Sequence, residues 1–381
     1  MIGGNILIKR IMREGEKTVK KIFFMINSLS GGGAEKVLID LLNSLDFSKY
    51  EVDLLTITGG VYEERVTKKV NYKKIIKKPN SFLGRLLQRL VYHMPKSLFR
   101  KLFVRKNYDV EIAYLEGFPT RVVAKSKSKK IAFVHCDVSV KPILQGIYKN
   151  DDVCKKEYES FDKVCFVSKS ALVGFEKIFG KLSNATVVHN VINAEEIQNK
   201  AKEKNEFTFN TNGLKIISVG RLSSEKGYER LVRIASKLEK KYDFELCILG
   251  EGAERSRLEE IIKAEDSKAV RLLGFQKNPY SYMKKADLYV CPSFFEGYST
   301  TVTECMILGV PVLTTDCAGM EEILKEGKYG MIVDNDEAML EKGIIRFLED
   351  KNILETYRQN IKKCKINDNV KEFLTVVNEL I

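Results

Sequence analysis

Long apolar runs are missing from the 381 residues of this chain. It contains no apolar run near the roughly 18 residues that a membrane-spanning helix needs. Its first 20 residues carry too many charges, and too short an apolar stretch, for a signal peptide. We therefore expect a cytosolic protein with no membrane-spanning helix.

Disulfide and metal-binding patterns are also missing. The chain has three histidines and eight cysteines, with no C-x-x-C pair and no histidine at metal-ligand spacing. Most of the cysteines lie within apolar segments, so we expect reduced core residues and no metal site. They are Cys136, Cys154, Cys165, Cys247, Cys291, Cys305, Cys317 and Cys364.

Acidic residues are absent from one long window. Between Lys68 and Lys106 there are thirteen Lys or Arg and no Asp or Glu, which equals the net charge of +13 for the whole chain. Apolar residues recur at helical spacing from Phe82 to Val91 and again from Leu98 to Phe103. The window therefore predicts basic amphipathic helices, and an anionic membrane surface attracts such segments.

The candidate membrane-docking residues are Lys73, Lys74, Lys77, Lys78, Arg85, Arg89, Arg100 and Lys101. The alternative is that the apolar face packs on the protein's own sheet and the charges are merely solvated. No helix-turn-helix, zinc or RNP-type pattern accompanies the charge, so we expect no nucleic-acid partner.

Short apolar strands alternate with helices in two successive sets, which predicts two α/β domains with parallel sheets. A polar stretch at 193–212 separates the sets. Expected strands are 21–27, 50–57, 109–115, 130–135, 162–168, 185–189, 214–219, 244–249, 270–273, 288–291, 312–314 and 331–333. Expected helices, besides the basic ones, are 33–45, 169–179, 227–241, 254–263, 299–308 and 370–380.

We expect two Rossmann-like doubly wound domains facing each other across a cleft, because ligands in such folds bind at the carboxyl ends of the strands. The predicted domains are 21–192, with 367–381 packing back on it, and 193–366. Residues 1–20 form an N-terminal extension that is either disordered or an early start of the first domain.

The stretch from Cys291 to Glu304 carries the strongest site pattern. A loop marked by Pro292 and Gly297 runs into a helix near Ser299, whose first backbone N–H groups form an anion site. Glu296 and Glu304 flank that site with acceptors suited to sugar and ribose hydroxyls. The alternative is structural, because Thr301-x-x-Glu304 is also a capping box and Glu296 fits an ordinary loop acid.

Other candidate residues follow predicted strands. The glycine turn of 28–36 lacks both the P-loop and the dinucleotide spacing, so a ligand contact and a plain tight turn remain open. His135 ends an apolar strand, and the alternative for it is a satisfied core histidine.

In the second half, Arg221 and Lys226 share one loop, where two cations can hold a diphosphate without a metal. Gly250 and Phe275 follow two further strands, where exposed backbone leaves room for a base or ribose. Their alternatives are surface charge and simple packing.

These motifs together resemble those of the retaining family-four, group 1 type, GT-B glycosyltransferases. The GGAEK turn, His135, the Val-Gly-Arg-Leu-x-x-Glu-Lys-Gly loop, the Leu-Gly-Glu-Gly turn and the E-x7-E pair occur here in the family's order. The resemblance spans Lys21 to about Val333, and its block from Arg221 to Glu304 is the most specific.

The resemblance implies a role for each position. Arg221 and Lys226 would bind the donor diphosphate, Glu304 the ribose, and Glu296 the transferred sugar, with His135 beside that sugar. Donor contacts would also come from Gly32, Gly33, Gly250, Phe275, Gly297, Tyr298, Ser299 and Thr300. The catalytic set is then His135, Glu296, Arg221 and Lys226, with neither a metal nor another cofactor.

The implied function is a retaining, metal-independent glycosyltransferase that resembles capsule and exopolysaccharide sugar transferases. It would move a hexose or N-acetylhexosamine from a nucleotide-sugar, with UDP-sugar favoured, to a lipid-linked glycan acceptor at the inner face of the cell membrane. The alternatives are a GDP-mannose-dependent mannosyltransferase, a nucleotide-sugar epimerase and a non-catalytic membrane-surface binder. The resemblance also implies closure of the domains about 193–212 and a second crossing near Lys365.

Overall fold

Two parallel sheets covered by helices form the molecule. The computed structural model describes residues 19–140, 144, 146–364 and 369–381. The expected extension therefore lies almost wholly outside the described residues, as does the crossing near Lys365. The prediction of two parallel α/β units is confirmed, and every strand pair in both sheets is parallel.

The first sheet has seven strands in the order β3-β2-β1-β4-β5-β6-β7. They are β1 (Lys20–Ile26), β2 (Tyr50–Thr58), β3 (Asn71–Ile76), β4 (Val110–Ala113), β5 (Lys129–Val134), β6 (Lys163–Phe166) and β7 (Ala185–Val187). The helices of this half are α1 (Gly33–Asn43), α2 (Phe82–His93), α3 (Lys96–Phe103), α4 (Phe118–Val123), α5 (Asp151–Glu159) and α6 (Lys169–Phe179).

The second sheet has six strands in the order β10-β9-β8-β11-β12-β13. They are β8 (Leu214–Val219), β9 (Phe244–Leu249), β10 (Val270–Gly274), β11 (Leu288–Cys291), β12 (Val312–Thr315) and β13 (Met331–Val333). Its helices are α7 (Ala194–Ala201), α8 (Tyr228–Leu238), α9 (Arg255–Ala264), α10 (Tyr280–Met283), α11 (Thr300–Leu308), α12 (Met320–Leu324), α13 (Glu337–Glu349) and α14 (Lys351–Lys362).

The last helix, α15 (Val370–Asn378), packs on the first sheet. Phe373 stacks on Phe24 of β1, with ring centroids 6.1 Å apart. The Tyr50 hydroxyl donates to Asn378 Oδ1 at 2.9 Å. The chain thus returns to the first unit after completing the second.

Strand β3 corrects the sequence analysis, which assigned only helices between β2 and β4. Lys73 and Lys74 lie on this strand and not on a helix. β3 is the outermost strand of its sheet. Lysines are common on such edges because they discourage pairing with another chain, and here they obscured the strand pattern.

The stretch 193–212 is also more ordered than a linker. Asn193 caps α7 by accepting from the Glu196 N–H, and Ile197 is buried in the core of the second unit. The polar composition concealed a helix with one buried face. The first half of the predicted hinge is therefore part of the second unit.

Candidate active site

The carboxyl ends of both sheets face each other, and the site loops leave them at or next to the points where strand order reverses. In the first sheet β1 lies beside β4, and in the second β8 lies beside β11. Ligands in doubly wound folds bind at such reversal points. The glycine turn follows β1 and His135 follows β5, while Arg221 follows β8 and Glu296 follows β11.

The glycine turn contacts the opposite unit. Glu35 accepts hydrogen bonds from the Gly32 N–H and from the Ser28 hydroxyl, and so fixes the turn at the start of α1. A Cβ placed on Gly32 would lie 3.2 Å from Arg221 Nη2. A Cβ on Gly33 would lie 3.7 Å from the Thr300 hydroxyl oxygen. The turn therefore lies against both candidate phosphate-binding loops of the second unit.

His135 is held neutral by its surroundings. Burial lowers its pKa to about 3, and a hydrogen bond to the Tyr114 backbone opposes the shift only in part. Its ring packs 4.9 Å from that of Tyr114, and its backbone N–H donates to Glu116 Oε2 at 3.0 Å. Nε2 is buried and has no hydrogen-bond partner among the described residues. A neutral imidazole with one free nitrogen suits a sugar hydroxyl.

The loop after β11 rests directly on His135. A Cβ on Gly297 would lie 1.9 Å from the His135 carbonyl oxygen, so only glycine fits there. The Gly297 carbonyl oxygen also accepts from the buried Ser168 hydroxyl at 3.1 Å. These contacts bring the candidate sugar-binding loop and the histidine to one point between the units.

Lys226 and Glu296 form an ion pair at this point. Lys226 Nζ lies 2.6 Å from Glu296 Oε1, and Ser293 donates to the same oxygen at 2.7 Å. Burial by itself lowers the pKa of Lys226, but Glu296, Cys291 and Glu225 together raise it by more, so the net pKa lies above the usual value. The ammonium group is therefore charged at neutral pH, as phosphate binding requires.

Arg230 supports this loop and was missed by the sequence analysis. Its guanidinium donates to the Pro292 carbonyl oxygen at 2.6 Å and to the Ser293 carbonyl oxygen at 2.9 Å. A third acceptor is Asn335 Oδ1 at 2.8 Å. The sequence did contain a signal for this role, because Arg230 is a charged residue on the buried face of an amphipathic helix.

Glu304 does not act as a capping-box residue. Ser299 caps α11 by accepting from the Val302 N–H. The Glu304 carboxylate, 4% exposed, instead lies 3.2 Å from Lys36 Nζ and 3.4 Å from the Tyr280 hydroxyl. Burial raises its pKa although Lys36 lowers it in part. The pairing of Lys36 with Glu304 was not predicted, because no sequence pattern near either residue indicates it.

The remaining candidates are spread more widely. Arg221 is exposed and makes no ion pair with any described residue. Gly250 packs against Gly220, since a Cβ would lie 1.8 Å from the Gly220 carbonyl oxygen. Phe275 follows the edge strand β10 and is 56% exposed. The Tyr298 ring lies 5.6 Å from that of His189.

The basic helices expose their apolar residues. Only Gly84 and Val91 are buried on α2, and only Phe99 on α3. The exposed apolar residues are Phe82, Leu83, Leu86, Leu87, Leu90, Leu98, Leu102 and Phe103. Much of this apolar surface is therefore left uncovered by the rest of the protein.

Three basic residues of this window are paired with acids from outside it. Arg100 forms a two-contact ion pair with the buried Glu111, at 2.5 and 2.8 Å. Lys74 pairs with Glu63 at 2.5 Å, and Lys106 with Glu51 at 3.0 Å. Arg100 is therefore wrongly placed among the membrane-docking residues. A window free of acids says nothing about acids brought to it by folding.

Among the described residues, no group of three or more His, Cys, Asp or Glu is arranged to hold a metal ion. No helix in that part of the chain is both long and apolar enough to cross a bilayer.

Sequence comparison relates the chain to known enzymes. Residues 199–364 match the family described as "Glycosyl transferases group 1". The chain is 30% identical over 309 residues to an uncharacterised glycosyltransferase of Methanocaldococcus jannaschii, covering 71% of this chain and 72% of the other. It is 29% identical over 375 residues, 93% of this chain and 97% of the other, to a Campylobacter jejuni enzyme. That enzyme is named N-acetylgalactosamine-N,N'-diacetylbacillosaminyl-diphospho-undecaprenol 4-alpha-N-acetylgalactosaminyltransferase.

Solved structures share the fold at lower identity. Anabaena HepE, in complex with UDP and glucose, superposes with a TM-score of 0.72 at 18% identity, over 94% of this chain and 99% of that one. Sucrose-phosphate synthase from Thermosynechococcus elongatus gives 0.73 at 16% identity, over 95% and 99%. The two facing sheets are thus those of the GT-B fold.

Proposed function

The chain belongs to the group 1 glycosyltransferases, and from that membership we propose that it is a retaining, metal-independent enzyme. Its donor is a UDP-sugar carrying a hexose or N-acetylhexosamine, and its acceptor is a lipid-linked glycan at the cytoplasmic membrane face. The name of the Campylobacter jejuni relative, an N-acetylgalactosaminyltransferase with a diphospho-undecaprenol acceptor, supports this choice. HepE was solved with UDP, which supports the uridine base.

The observation that carries this proposal is the meeting of His135 with the Gly297 loop, beside the ion pair of Lys226 and Glu296. The neutral ring of His135 and the carboxylate of Glu296 suit hydroxyl groups of the transferred sugar. The ammonium group of Lys226 suits the diphosphate. Arg221 is close to Gly32, on the other side of the cleft. Together Arg221 and Lys226 provide the positive charge that a leaving diphosphate needs.

The proposed mechanism follows from these roles. Lys226 and Arg221 stabilise the departing diphosphate while the bond from the anomeric carbon to the phosphate oxygen breaks. The acceptor hydroxyl attacks from the same face, and the leaving phosphate takes its proton. His135 Nε2 and Glu296 hold hydroxyls of the transferred sugar, so Glu296 acts as a hydrogen-bond acceptor and not as a nucleophile. The loop from Gly297 to Thr301 excludes water.

Nucleotide release tests this proposal. UDP-, GDP- and ADP-sugars are offered with a chelator and lipid vesicles to the native chain, Lys226→Ala and Glu304→Ala. We expect release from UDP-sugars only, reduced about a hundredfold or more by Lys226→Ala because a charge on the leaving diphosphate is left unbalanced. Lys237→Ala, which removes an exposed lysine of α8 paired with Glu341, is the matched control and should leave the rate unchanged.

Other outcomes identify other functions. Turnover of GDP-mannose alone would identify the chain as a mannosyltransferase. Loss of activity in the presence of chelator would show that the enzyme requires a metal ion. Interconversion of the donor sugar without transfer would indicate an epimerase. Vesicle binding with no turnover or nucleotide binding would leave only a membrane-surface binder.

We also propose that α2 and α3 dock on an anionic membrane, with Lys73, Lys77, Lys78, Arg85, Arg89 and Lys101 as candidate contacts. The exposed apolar residues of α2 lie beside Arg85 and Arg89, which supports shallow insertion with headgroup contacts. The acceptor would then meet the cleft from the membrane side.

Vesicle flotation tests the docking proposal. Arg85→Ala with Arg89→Ala should weaken binding to anionic vesicles about thirtyfold, at about 1 kcal/mol for each residue. Leu86→Asp with Leu90→Asp should abolish it. Val173→Asp with Ile178→Asp, at exposed apolar positions of α6, is the control and should change nothing. Equal binding by all variants would contradict the proposal.

A further inference from the structure

A line of alternating charges crosses from the first unit to the second. Arg65 Nη2 lies 3.0 Å from Asp40 Oδ1, and Asp40 Oδ2 lies 2.7 Å from Lys36 Nζ. Lys36 Nζ then reaches Glu304 Oε1 at 3.2 Å. A second crossing joins Arg65 to Glu196 of α7 at 3.1 Å. Two ion pairs therefore connect α1 and the segment before β3 to the second unit.

The central charges of this line are buried. Lys36 is 7% exposed, Asp40 2% and Glu304 4%. Buried ion pairs contribute little net stability, because desolvation offsets much of the attraction. Stability is therefore a weak explanation for an ammonium group placed between two buried carboxylates.

The two oxygens of Glu304 have different surroundings. Oε1 is held by Lys36 Nζ and by the Tyr280 hydroxyl. No described residue donates a hydrogen bond to Oε2, and this atom is not among the buried polar atoms that lack a partner. Oε1 is thus held by two groups, whereas Oε2 accepts no hydrogen bond from a described residue.

Lys36 also belongs to the first turn of α1, three residues after Gly33. Its backbone N–H donates to the Gly32 carbonyl oxygen at 3.1 Å. The lysine that holds Glu304 is therefore rigidly connected to the glycine turn, which faces Arg221 and Thr300.

We propose that Lys36 is a positioning residue for the donor: it holds Oε1 of Glu304 so that Oε2 meets the ribose hydroxyls, and it links that carboxylate to the glycine turn of the opposite unit. This inference rests on the proposed function, in which Glu304 binds ribose. Lys36 itself does not touch the reacting atoms.

The electrostatics of the cluster support the assignment. Burial raises the pKa of Glu304, and Lys36 is the largest opposing influence, while Asp40 raises the pKa further. Without Lys36 the carboxylate would be buried beside Asp40, so its pKa would rise further. Protonation removes acceptor capacity, so ribose binding would be lost as pH falls through that raised pKa.

Several other groups face this cluster and are held constant in the test. The titratable and charged neighbours are Glu35, Asp40, Tyr62, Arg65, Glu196, Tyr280 and Cys305.

Titration calorimetry with UDP and GDP tests the inference across about pH 5.5 to 8.5. We expect Lys36→Met to bind the preferred nucleotide about tenfold more weakly at neutral pH than the native chain. The reason is that Glu304 loses its charge-assisted contact with Lys36. Its affinity should then fall by up to about tenfold per pH unit on acidification, while the native profile changes little. Lys36→Arg, which keeps the charge, should restore the native pH profile.

A double variant separates positioning from a general structural effect. Glu304→Gln should weaken binding independently of pH, and adding Lys36→Met should change its affinity by less than about twofold, because Lys36 acts through Glu304. Lys49→Met, at an exposed lysine paired with Asp46, is the matched control. Thermal melting confirms that each variant is folded.

The outcomes are distinguishable. Nucleotide binding by the native chain together with a native pH profile in Lys36→Met, or additive effects in the double variant, would overturn the inference alone. A native chain that binds neither UDP nor GDP would overturn the proposed function and the inference with it.

Discussion

His135 and His189 respond in opposite ways to their surroundings. Burial lowers the pKa of His135 to about 3, so the folded chain resists protonation of this ring. Hydrogen bonding to Glu322 raises the pKa of His189, against an opposing effect of burial, and Glu372 adds to the increase. The same residue type is therefore harder to protonate at position 135 and easier to protonate at position 189.

We predict that His189→Gln destabilises the protein more at low pH than at high pH. His189 contacts Glu322 of α12 at 3.4 Å and Glu372 of α15 at 3.1 Å. The pKa of His189 is higher in the folded than in the unfolded protein. Its contribution to the free energy of unfolding is therefore complete below the unfolded pKa of about 6.5 and is lost as pH rises through the folded pKa. Thermal melts of both chains from about pH 5.5 to 9 measure the difference.

His93→Gln is the control for this experiment. His93 is exposed at the end of α2 and makes only a local contact, to the Arg89 carbonyl oxygen at 2.8 Å. A melting difference for His189→Gln that stays constant with pH would contradict the assigned charge.

Among the elements, α8 shows how a single helix supports the site. Its buried face contains apolar residues such as Leu231 and Val232, and also Arg230. The guanidinium is 4.0 Å from the centre of the Phe294 ring and binds two carbonyl oxygens of the loop after β11. The position of Glu296 therefore depends on a helix that carries none of the residues proposed to contact the donor.

Arg230→Met is expected to lower the free energy of unfolding by about 2 to 4 kcal/mol, because buried carbonyl oxygens would lose their donor. Arg233→Met, on the exposed face of the same helix and paired with Glu229, should cost less than about 1 kcal/mol. Urea unfolding of both variants measures the difference. Equal losses would mean that the buried contacts do not hold the loop.

The strands and helices were predicted from the sequence with uneven success. Strands β8, β9, β11 and β13 and helix α6 have the predicted bounds, because each is an apolar run ended by turn residues. Strand β3 was missed because an edge strand carries lysines, and α13 and α14 were left unassigned. Buried strands could be predicted because their sequences are apolar runs. The strand at the edge of the sheet could not be predicted in this way.

In the whole molecule, the two units meet through a few close contacts. Gly297 rests on His135, Lys36 pairs with Glu304, and His189 contacts helices from both units. Asn369, just before α15, donates to the Asn190 carbonyl oxygen at 2.9 Å. We propose that closure about 188–193 and this contact assembles the site, with domains of 21–192 plus 367–381 and 193–366.

Gly297→Ala is predicted to hold the units apart. The methyl group would lie 1.9 Å from the His135 carbonyl oxygen, so the loop cannot seat and His135 is separated from Glu296. We expect a larger radius of gyration by small-angle X-ray scattering and a rate about a hundredfold lower, since small misplacements are costly in catalysis.

Gly213→Ala is the matched control, because its methyl group would lie 1.9 Å from the Asp243 carbonyl oxygen within the second unit. It should lower the melting temperature without changing the native radius of gyration. An unchanged radius and rate in Gly297→Ala would show that the contact is not part of the closed state.

The sequence by itself determined the fold class and the family, because strand periodicity and the motifs at strand ends are local properties of the chain. It also indicated which loops carry the candidate donor residues. Only the tertiary structure decided which charges meet: Lys36 with Glu304, Arg100 with Glu111, and Arg230 with the carbonyl oxygens of the Glu296 loop. These pairs join residues far apart in the chain, and electrostatic partners depend on distance in space, which no local pattern encodes.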